Sequence, residues 1–318
     1  KKILCVLMSC LLFVMAGCSG HSKNLKFGAA DIGGVYYSFA STFTQLADKE
    51  IDGYTFETKT TAGSVANLRL ISDGYIDLAI VQADLLSDAY NATGTFADKK
   101  YQKGYKAVAS LYTECCQIVV RKDSGITGID DLINKTVSVG ASESGTEKNA
   151  EQILKMSGIT DELINKVNMD YTEAAEKLKA GEIDAFFCTA GTRTEVIGQL
   201  SKECDICLIS LDDKCIDKML SAYSLCEKYT IPAGTYNGQD SDVTTIGVKS
   251  VLIAKQSLSD DVIKKVTKTI YEHADDFKYA TSLDISFDIN TAADGVDIPF
   301  HSGAAAYYAE HGINVLTE

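Results

Sequence analysis

Four short stretches of this 318-residue chain, three of them with glycine, gather hydroxyl or amide side chains, the chemistry of a grip on a small polar molecule. Asp31-Ile32-Gly33-Gly34-Val35-Tyr36-Tyr37 puts two glycines, which allow close backbone approach, ahead of two phenols that offer flat walls and O–H donors. In Thr61-Ala62-Gly63-Ser64-Val65-Ala66-Asn67, Ser64 and Asn67 are three residues apart and share a helix face. Gln82-Ala83-Asp84 closes an apolar run, which makes Gln82 a polar contact at a strand end and Asp84 a cap for the next helix. Gly140 to Glu147 (GASESGTE) supplies Ser144, Gly145 and Thr146, two hydroxyls around a bare N–H. Ser144 and Glu147 also fit a capping box, and the two roles are compatible. A helix that starts at such a place presents free N–H groups and the positive end of its dipole, so the chemistry expected is reversible anion binding. Each charge-assisted bond would contribute about 1.5–3 kcal/mol.

Other chemistries are less well served. Arg193 ends the stretch Cys188-Thr189-Ala190-Gly191-Thr192 and could clamp a carboxylate, although a surface position is the simpler reading. Arg69 lies about 140° round the helix from Ser64 at ordinary helical pitch, and should point away from it. Seven cysteines follow Cys18, an odd number and a poor disulfide framework for an exported chain. Cys204-Asp-Ile-Cys207 has the spacing of a redox or zinc pair, yet no second pair follows and the four histidines are elsewhere. No metal and no cofactor are expected. Glycine-x-serine-x-glycine, HExxH and the Gly-Lys-Ser/Thr ending of a phosphate loop are all missing, and Cys188 is the one nucleophile worth naming. A thiol-dependent enzyme is therefore the weaker alternative to a binding protein.

These residues must be held by an alternation of short apolar runs and amphipathic stretches. Strands are expected at 25–29, 54–60 and 76–82, with helices at 36–48 and 65–71 between them. The rhythm returns with strands at 136–139, 166–170 and 183–188 and helices at 147–156 and 172–179. Such alternation argues for a parallel sheet with helices on its faces. Two segments look like copies of one plan: Leu70-Ile-Ser-Asp-Gly74-Tyr-Ile76-Asp77 and Leu178-Lys-Ala-Gly181-Glu-Ile183-Asp184. Each is a helix end, a glycine suited to a left-handed cap, then x-Ile-Asp and a buried strand. Apolar runs at 117–121 and 245–253 would carry the chain between the copies. The expected fold is α/β with two lobes, residues 25–118 plus 249–318 and residues 119–248, joined by a two-stranded hinge.

The N-terminus carries a compartment signal. Lys1 and Lys2 precede an apolar stretch from Ile3 to Ala16 that is too short to span a bilayer stably, so residues 1–17 read as a signal peptide. Met15-Ala16-Gly17-Cys18 resembles a bacterial lipobox, with Cys18 lipidated and residues 18–24 a tether. The expected location is extracytoplasmic, anchored by lipid to the bacterial membrane. Net charge is −14 and no basic run exists, which speaks against nucleic acid as a partner. A monomer is expected.

With these stretches in view, the chain resembles the TAXI family, the extracytoplasmic solute receptors of TRAP transporters. Gly33-Gly34-Val35-Tyr36-Tyr37, Thr61-Ala62-Gly63-Ser64-Val65, Asn67-Leu68-Arg69 and Ser144-Gly145-Thr146-Glu147 carry the likeness. So do Ala190-Gly191-Thr192, Ile231-Pro232-Ala233-Gly234-Thr235-Tyr236, and His301-Ser302-Gly303-Ala304 with Tyr307-Tyr308. The resemblance implies a type II periplasmic-binding-protein fold, capture of a ligand between lobes, and delivery to TRAP membrane subunits. It implies a small carboxylate such as glutamate, glutamine or 2-oxoglutarate, held by Gly34, Tyr36, Tyr37, Ser64, Asn67, Gln82, Ser144, Gly145, Thr146 and Gly191. Ser38 and Ser302 stand where that family has proline, and Glu143, Cys188 and Thr189 are also departures. A glutamate beside a carboxylate cradle would repel the ligand unless its side chain turns outward. A lipoprotein that reports ligand occupancy to a membrane kinase is the other binding-protein reading.

Overall fold

The computed structural model describes residues 22–98, 103–282 and 287–318. The segment read as a signal peptide, with Cys18, lies outside these residues. Among the described residues no helix is long and apolar enough to cross a membrane.

The described strands form one mixed sheet: β1 (Lys23–Gly28), β2 (Tyr54–Lys59), β3 (Leu78–Gln82), β4 (Tyr105–Arg121), β5 (Thr136–Ser138), β6 (Asn165–Val167), β7 (Ala185–Ala190), β8 (Ile206–Leu208), β9 (Cys226–Ile231) and β10 (Val243–Lys255). Their order is β2-β1-β3-β10-β4-β7-β5-β6, with β8 on β4 and β9 on β10. β2-β1-β3 and β7-β5-β6 are parallel blocks. β10 and β4 lie between the blocks, antiparallel to each other and to β3 and β7. β3 (LAIVQ) and β7 (AFFCTA) are buried at every position, as strands covered on both faces must be.

In each block the helix starts just beyond the carboxyl end of a strand. α1 (Val35–Glu50) follows β1, α2 (Ser64–Ser72) follows β2, and α3 (Ala83–Asn91) follows β3. α4 (Gly145–Ser157) follows β5 and α5 (Tyr171–Ala180) follows β6. The repeated Gly-x-Ile-Asp plan has one structural meaning in both places. Gly74 and Gly181 take the left-handed backbone, at φ +82° and +75°. The next Asp then staples its strand to the parallel neighbour. Asp77 gives its N–H to the carbonyl of Lys26 and accepts the Lys26 N–H on its carboxylate, and Asp184 does the same with Thr136.

The long strands differ from the sequence expectation in extent. β4 runs for 17 residues, its early part against β10 and residues 115–120 against β7. Its change of neighbours therefore falls ahead of residue 118. β10 pairs with β9 over 243–248 and with β3 over 250–254, and its ladder with β4 shifts register at Lys249/Val251 and at Leu252/Ile253. Under α1, Phe39 stacks on Phe277 at 4.4 Å and Phe27 packs edge-on to Phe43 at 5.5 Å. A second buried cluster packs Ile153, Phe187 and Met219 around β4 and β5. Burying each such side chain favours folding by about 1.5–3 kcal/mol.

Candidate functional site

The loops and helix starts of both parallel blocks meet at one narrow cavity, with about 30 Å³ of free space between its walls. Gly34, Tyr36, Ser64, Gln82, Ser144, Gly145 and Thr146, all singled out in the sequence, line it. Each stands at a strand end or in a first helical turn, because a parallel strand followed by a helix delivers its loop to that edge. Ser64 Oγ accepts the N–H of Gln82 at 3.1 Å, tying the start of α2 to the end of β3. Ser144 Oγ accepts the N–H of Glu147 at 2.9 Å and so caps α4. Glu147 returns the bond one residue early, accepting the N–H of Glu143 at 3.0 Å. Thr146 Oγ1 accepts the N–H of Thr189 at 3.1 Å and lies 2.5 Å from the hydroxyl of Tyr171.

Three named candidates do not line the cavity. Asn67 is fully buried, and its amide donates to the carbonyls of Ala29 at 2.7 Å and Ile80 at 2.9 Å while its oxygen accepts from Thr61 at 2.7 Å. It joins β1, β3 and α2 beneath the cavity floor. Tyr37 is partly buried against the large core cluster. The Gly191 carbonyl accepts the Thr194 hydroxyl at 2.6 Å, one residue past the lining Ala190. Arg193 is exposed and does not line the cavity, so it is no carboxylate clamp there.

The sequence reading passes over the most unusual lining residues, Glu114 and Tyr171, and does not rank Asp31 or Thr189 as site residues. Glu114 lies near the middle of β4 and is 3 % exposed. The Tyr36 hydroxyl donates to its carboxylate at 2.7 Å. Burial pushes its pKa up to about 8, against the opposing effect of hydrogen bonds from Tyr36 and Gln82. Asp31 is raised to about 6, by burial first and by Asp170 second, although the N–H of Tyr171 donates to it. No lysine, arginine or histidine is among the lining residues.

Two polar atoms of the wall are buried without a partner, Gln82 Oε1 and Thr189 Oγ1. Such atoms cost stability unless a polar partner satisfies them. Cys188 is fully buried and burial pushes its thiol well above the ordinary range, the reverse of what activates a nucleophile. The seven described cysteines are free thiols, Cys204 and Cys207 included. Among the described residues no group of three or more metal-binding side chains comes together.

Several of the other quoted motifs serve the scaffold. His301 caps the helix Ser302–Glu310 by accepting the N–H of Gly303 at 3.2 Å, and Tyr308 donates to the carbonyl of Val108 at 2.6 Å. Tyr236 donates to Gln117 at 2.6 Å and accepts from the N–H of Thr194 at 3.1 Å, fixing the segment that follows β7.

Parallel blocks on either side of two long antiparallel strands, with a cavity where their helix starts meet, define the periplasmic-binding-protein-like α/β fold. The chain belongs to the NMT1-like family, whose model matches residues 27–312. Its fold is similar to that of PhnD1 from Prochlorococcus marinus in complex with methylphosphonate, with a TM-score of 0.59 at 13% identity over 83% of this chain and 93% of that one. It is also similar to a putative L-cystine ABC transporter structure from Listeria monocytogenes, with a TM-score of 0.52 at 15% identity over 82% and 94% of the two chains.

Proposed function

We propose that the protein is an extracytoplasmic solute receptor that captures a small carboxylate, of the glutamate, glutamine or 2-oxoglutarate kind, for uptake by a TRAP transporter. The observation that carries this reading is the convergence of the α2 and α4 starts on one cavity. Helix geometry leaves the N–H groups of Ser64, Val65, Gly145 and Thr146 without partners inside their own helices. The corresponding N–H groups of Ala66 and Glu147 are already taken, by the carbonyl of Glu143 and the hydroxyl of Ser144. Four donors at two positive helix ends suit one carboxylate. In this reading residues 25–118 with 249–318 form one lobe, 119–248 the other, and β4 and β10 the hinge on which they close. The receptor works by binding and closure, with no bond made or broken. Residues 1–17 would be removed, and lipid on Cys18 would hold the protein at the outer face of the membrane. The names of the structural neighbours, one bound to methylphosphonate and one an L-cystine transporter, are in keeping with capture of a small polar solute.

A thermal-shift screen against dicarboxylates and acidic amino acids tests the reading. A ligand at a hundredfold over its dissociation constant stabilises the protein by about 2.7 kcal/mol. Ser64→Ala combined with Thr146→Ala should remove the shift. If no small carboxylate shifts the melt, the ligand class is wrong.

A further inference from the structure

We propose that Glu114 selects for a ligand that carries a protonated amine as well as its carboxylate, and that Glu114 gives up its own proton to solvent when that amine docks. The inference rests on the cavity being the carboxylate site just described, and it names which carboxylates the site prefers.

The wall offers two carboxyl groups, Glu114 and Asp31, and a buried, unpartnered amide oxygen on Gln82, which is 2 % exposed. An amide oxygen can only accept, and so can an ionised carboxylate. No lysine, arginine or histidine among the lining residues answers them. Once Glu114 is ionised, the positive charge and the N–H donors that answer these groups come with the ligand. The helix starts of α2 and α4 meet the opposite need at the same cavity, so the site suits a molecule with both an anionic and a cationic group. A 2-oxo acid satisfies one end; the matching amino acid satisfies both.

Glu114 is the better placed of the two acids to discriminate. Asp31 is part-exposed and already accepts the N–H of Tyr171. Glu114 is sealed, with the Tyr36 hydroxyl as its donor at 2.7 Å. A purely structural polar residue on β4 would not need to be an acid, since glutamine fills the same space and accepts the same hydroxyl. The groups that act on Glu114 are Tyr36 from α1, Gln82 from β3, Tyr112 on its own strand, Asp84 from α3, and also Tyr171, Cys115 and Cys188. Burial moves the tyrosines and cysteines above the ordinary range. Asp31 and Asp84 are raised to about 6 and Glu114 to about 8, so between pH 7 and 8 Glu114 is the one of these groups that changes charge. An arriving ammonium favours the carboxylate and expels the proton.

Isothermal titration calorimetry tests this with L-amino acids and the corresponding 2-oxo acids, glutamate against 2-oxoglutarate among them. Titrations at pH 7 in phosphate and in Tris read the protons released. The wild type should release close to one proton for each amino acid bound and bind it more tightly as pH rises to 8. Glu114→Gln should release none and bind amino acids at least about tenfold more weakly, the loss of one charge-assisted bond. Its affinity for 2-oxo acids should change little. Tyr36→Phe keeps the acid but removes its donor, so the pH midpoint of proton release should rise. Oxo acids that bind while amino acids do not would overturn the inference and leave the carboxylate site standing. Proton release that survives Glu114→Gln would overturn it as well. If neither class binds, the inference falls together with the site.

Discussion

Arg69 on α2 and Glu143 in the turn before α4 form a two-point ion pair, Nε to Oε1 at 3.2 Å and Nη2 to Oε2 at 2.6 Å. The pair holds the Glu143 side chain off the cavity lining, as the proposed carboxylate site would require. Glu143 holds a left-handed backbone at φ 65°, an uncommon conformation for a residue with a side chain. Two bonds hold it there: Ala66 N–H to the Glu143 carbonyl at 3.1 Å, and Glu143 N–H to Glu147 at 3.0 Å.

This pair should matter more for ligand retention than for stability. Its side chains are 34% and 43% exposed, and exposed pairs are worth about 0–1 kcal/mol. It joins the two sides of the cavity, however, so in the proposed closure it would act on the closed state. Arg69→Ala and Glu143→Ala should each raise the dissociation constant by roughly two- to fivefold, chiefly through faster release. The double variant should be no worse than either single one. Stopped-flow release of a bound carboxylate measures this, and additive losses would mean the two residues act separately.

Stability should fall as pH rises from about 5 to 8. Glu114 moves from 4.5 to about 8 on folding, and Asp84 from 3.8 to about 6. A raised pKa means that the folded state keeps a proton the unfolded chain has lost. The stabilisation is full below the unfolded values and is lost as pH passes through the folded ones. At roughly 1.4 kcal/mol per pKa unit, the effect of Glu114 reaches several kcal/mol. Glu57, Asp131 and Glu203, held below their ordinary values by neighbouring donors and lysines, act in the opposite sense on the acid side. Melting curves from pH 4 to 9 should therefore peak near pH 5. Glu114→Gln should flatten the limb between pH 6 and 8, and a slope there that does not change would sever it from Glu114.

Asn67 should prove structural. Asn67→Ala removes its bonds to the carbonyls of Ala29 and Ile80 and to the hydroxyl of Thr61, although that hydroxyl still donates to the Ala29 carbonyl at 2.9 Å. Each hydrogen bond lost is worth about 0.5–1.5 kcal/mol net, so three of them should register in denaturant unfolding as a loss of about 2–4 kcal/mol. Ser64→Ala, which removes one hydroxyl, should lose far less stability and more affinity. The reverse order would return Asn67 to the binding site.

What the sequence discloses here is what local geometry governs. Helical pitch alone sends Arg69 away from Ser64, and the glycine caps at Gly74 and Gly181 with their following aspartates announce the repeated strand edge. Distant contacts stay hidden. Spacing puts Ser64 and Asn67 on one face but does not say that β1 and β3 cover the second of them. Tyr36 and Tyr37 are equal in composition, yet successive helical residues point about 100° apart and only Tyr36 reaches the cavity. Glu114 is the least legible, since it interrupts an apolar strand with no motif around it. Its donor on Tyr36 is 78 residues away, and only the folded sheet brings the two together.

Gly145 should control closure by its lack of a side chain. A Cβ there would overlap Gln82 Oε1, far inside any real contact. Gln82 is not free to swing aside, because its Nε2 donates to Asn149 at 3.0 Å. On the opposite wall Gly63, at φ +123°, also lies close, and a Cβ on it would meet Ser144 Cα at 3.3 Å. Two bare backbones thus let the start of α4 settle against α2 and the end of β3. Alanine at the first residue of a helix is otherwise favourable, by up to about 1 kcal/mol over glycine. Gly145→Ala should therefore keep or slightly raise the melting temperature while affinity falls about tenfold or more, since overpacking costs about 1–3 kcal/mol when the walls meet. Adding Gln82→Ala clears the space and should restore closure, read as the ligand-dependent decrease in radius of gyration by small-angle scattering. Wild-type affinity in Gly145→Ala alone would show that the two walls need not approach this closely.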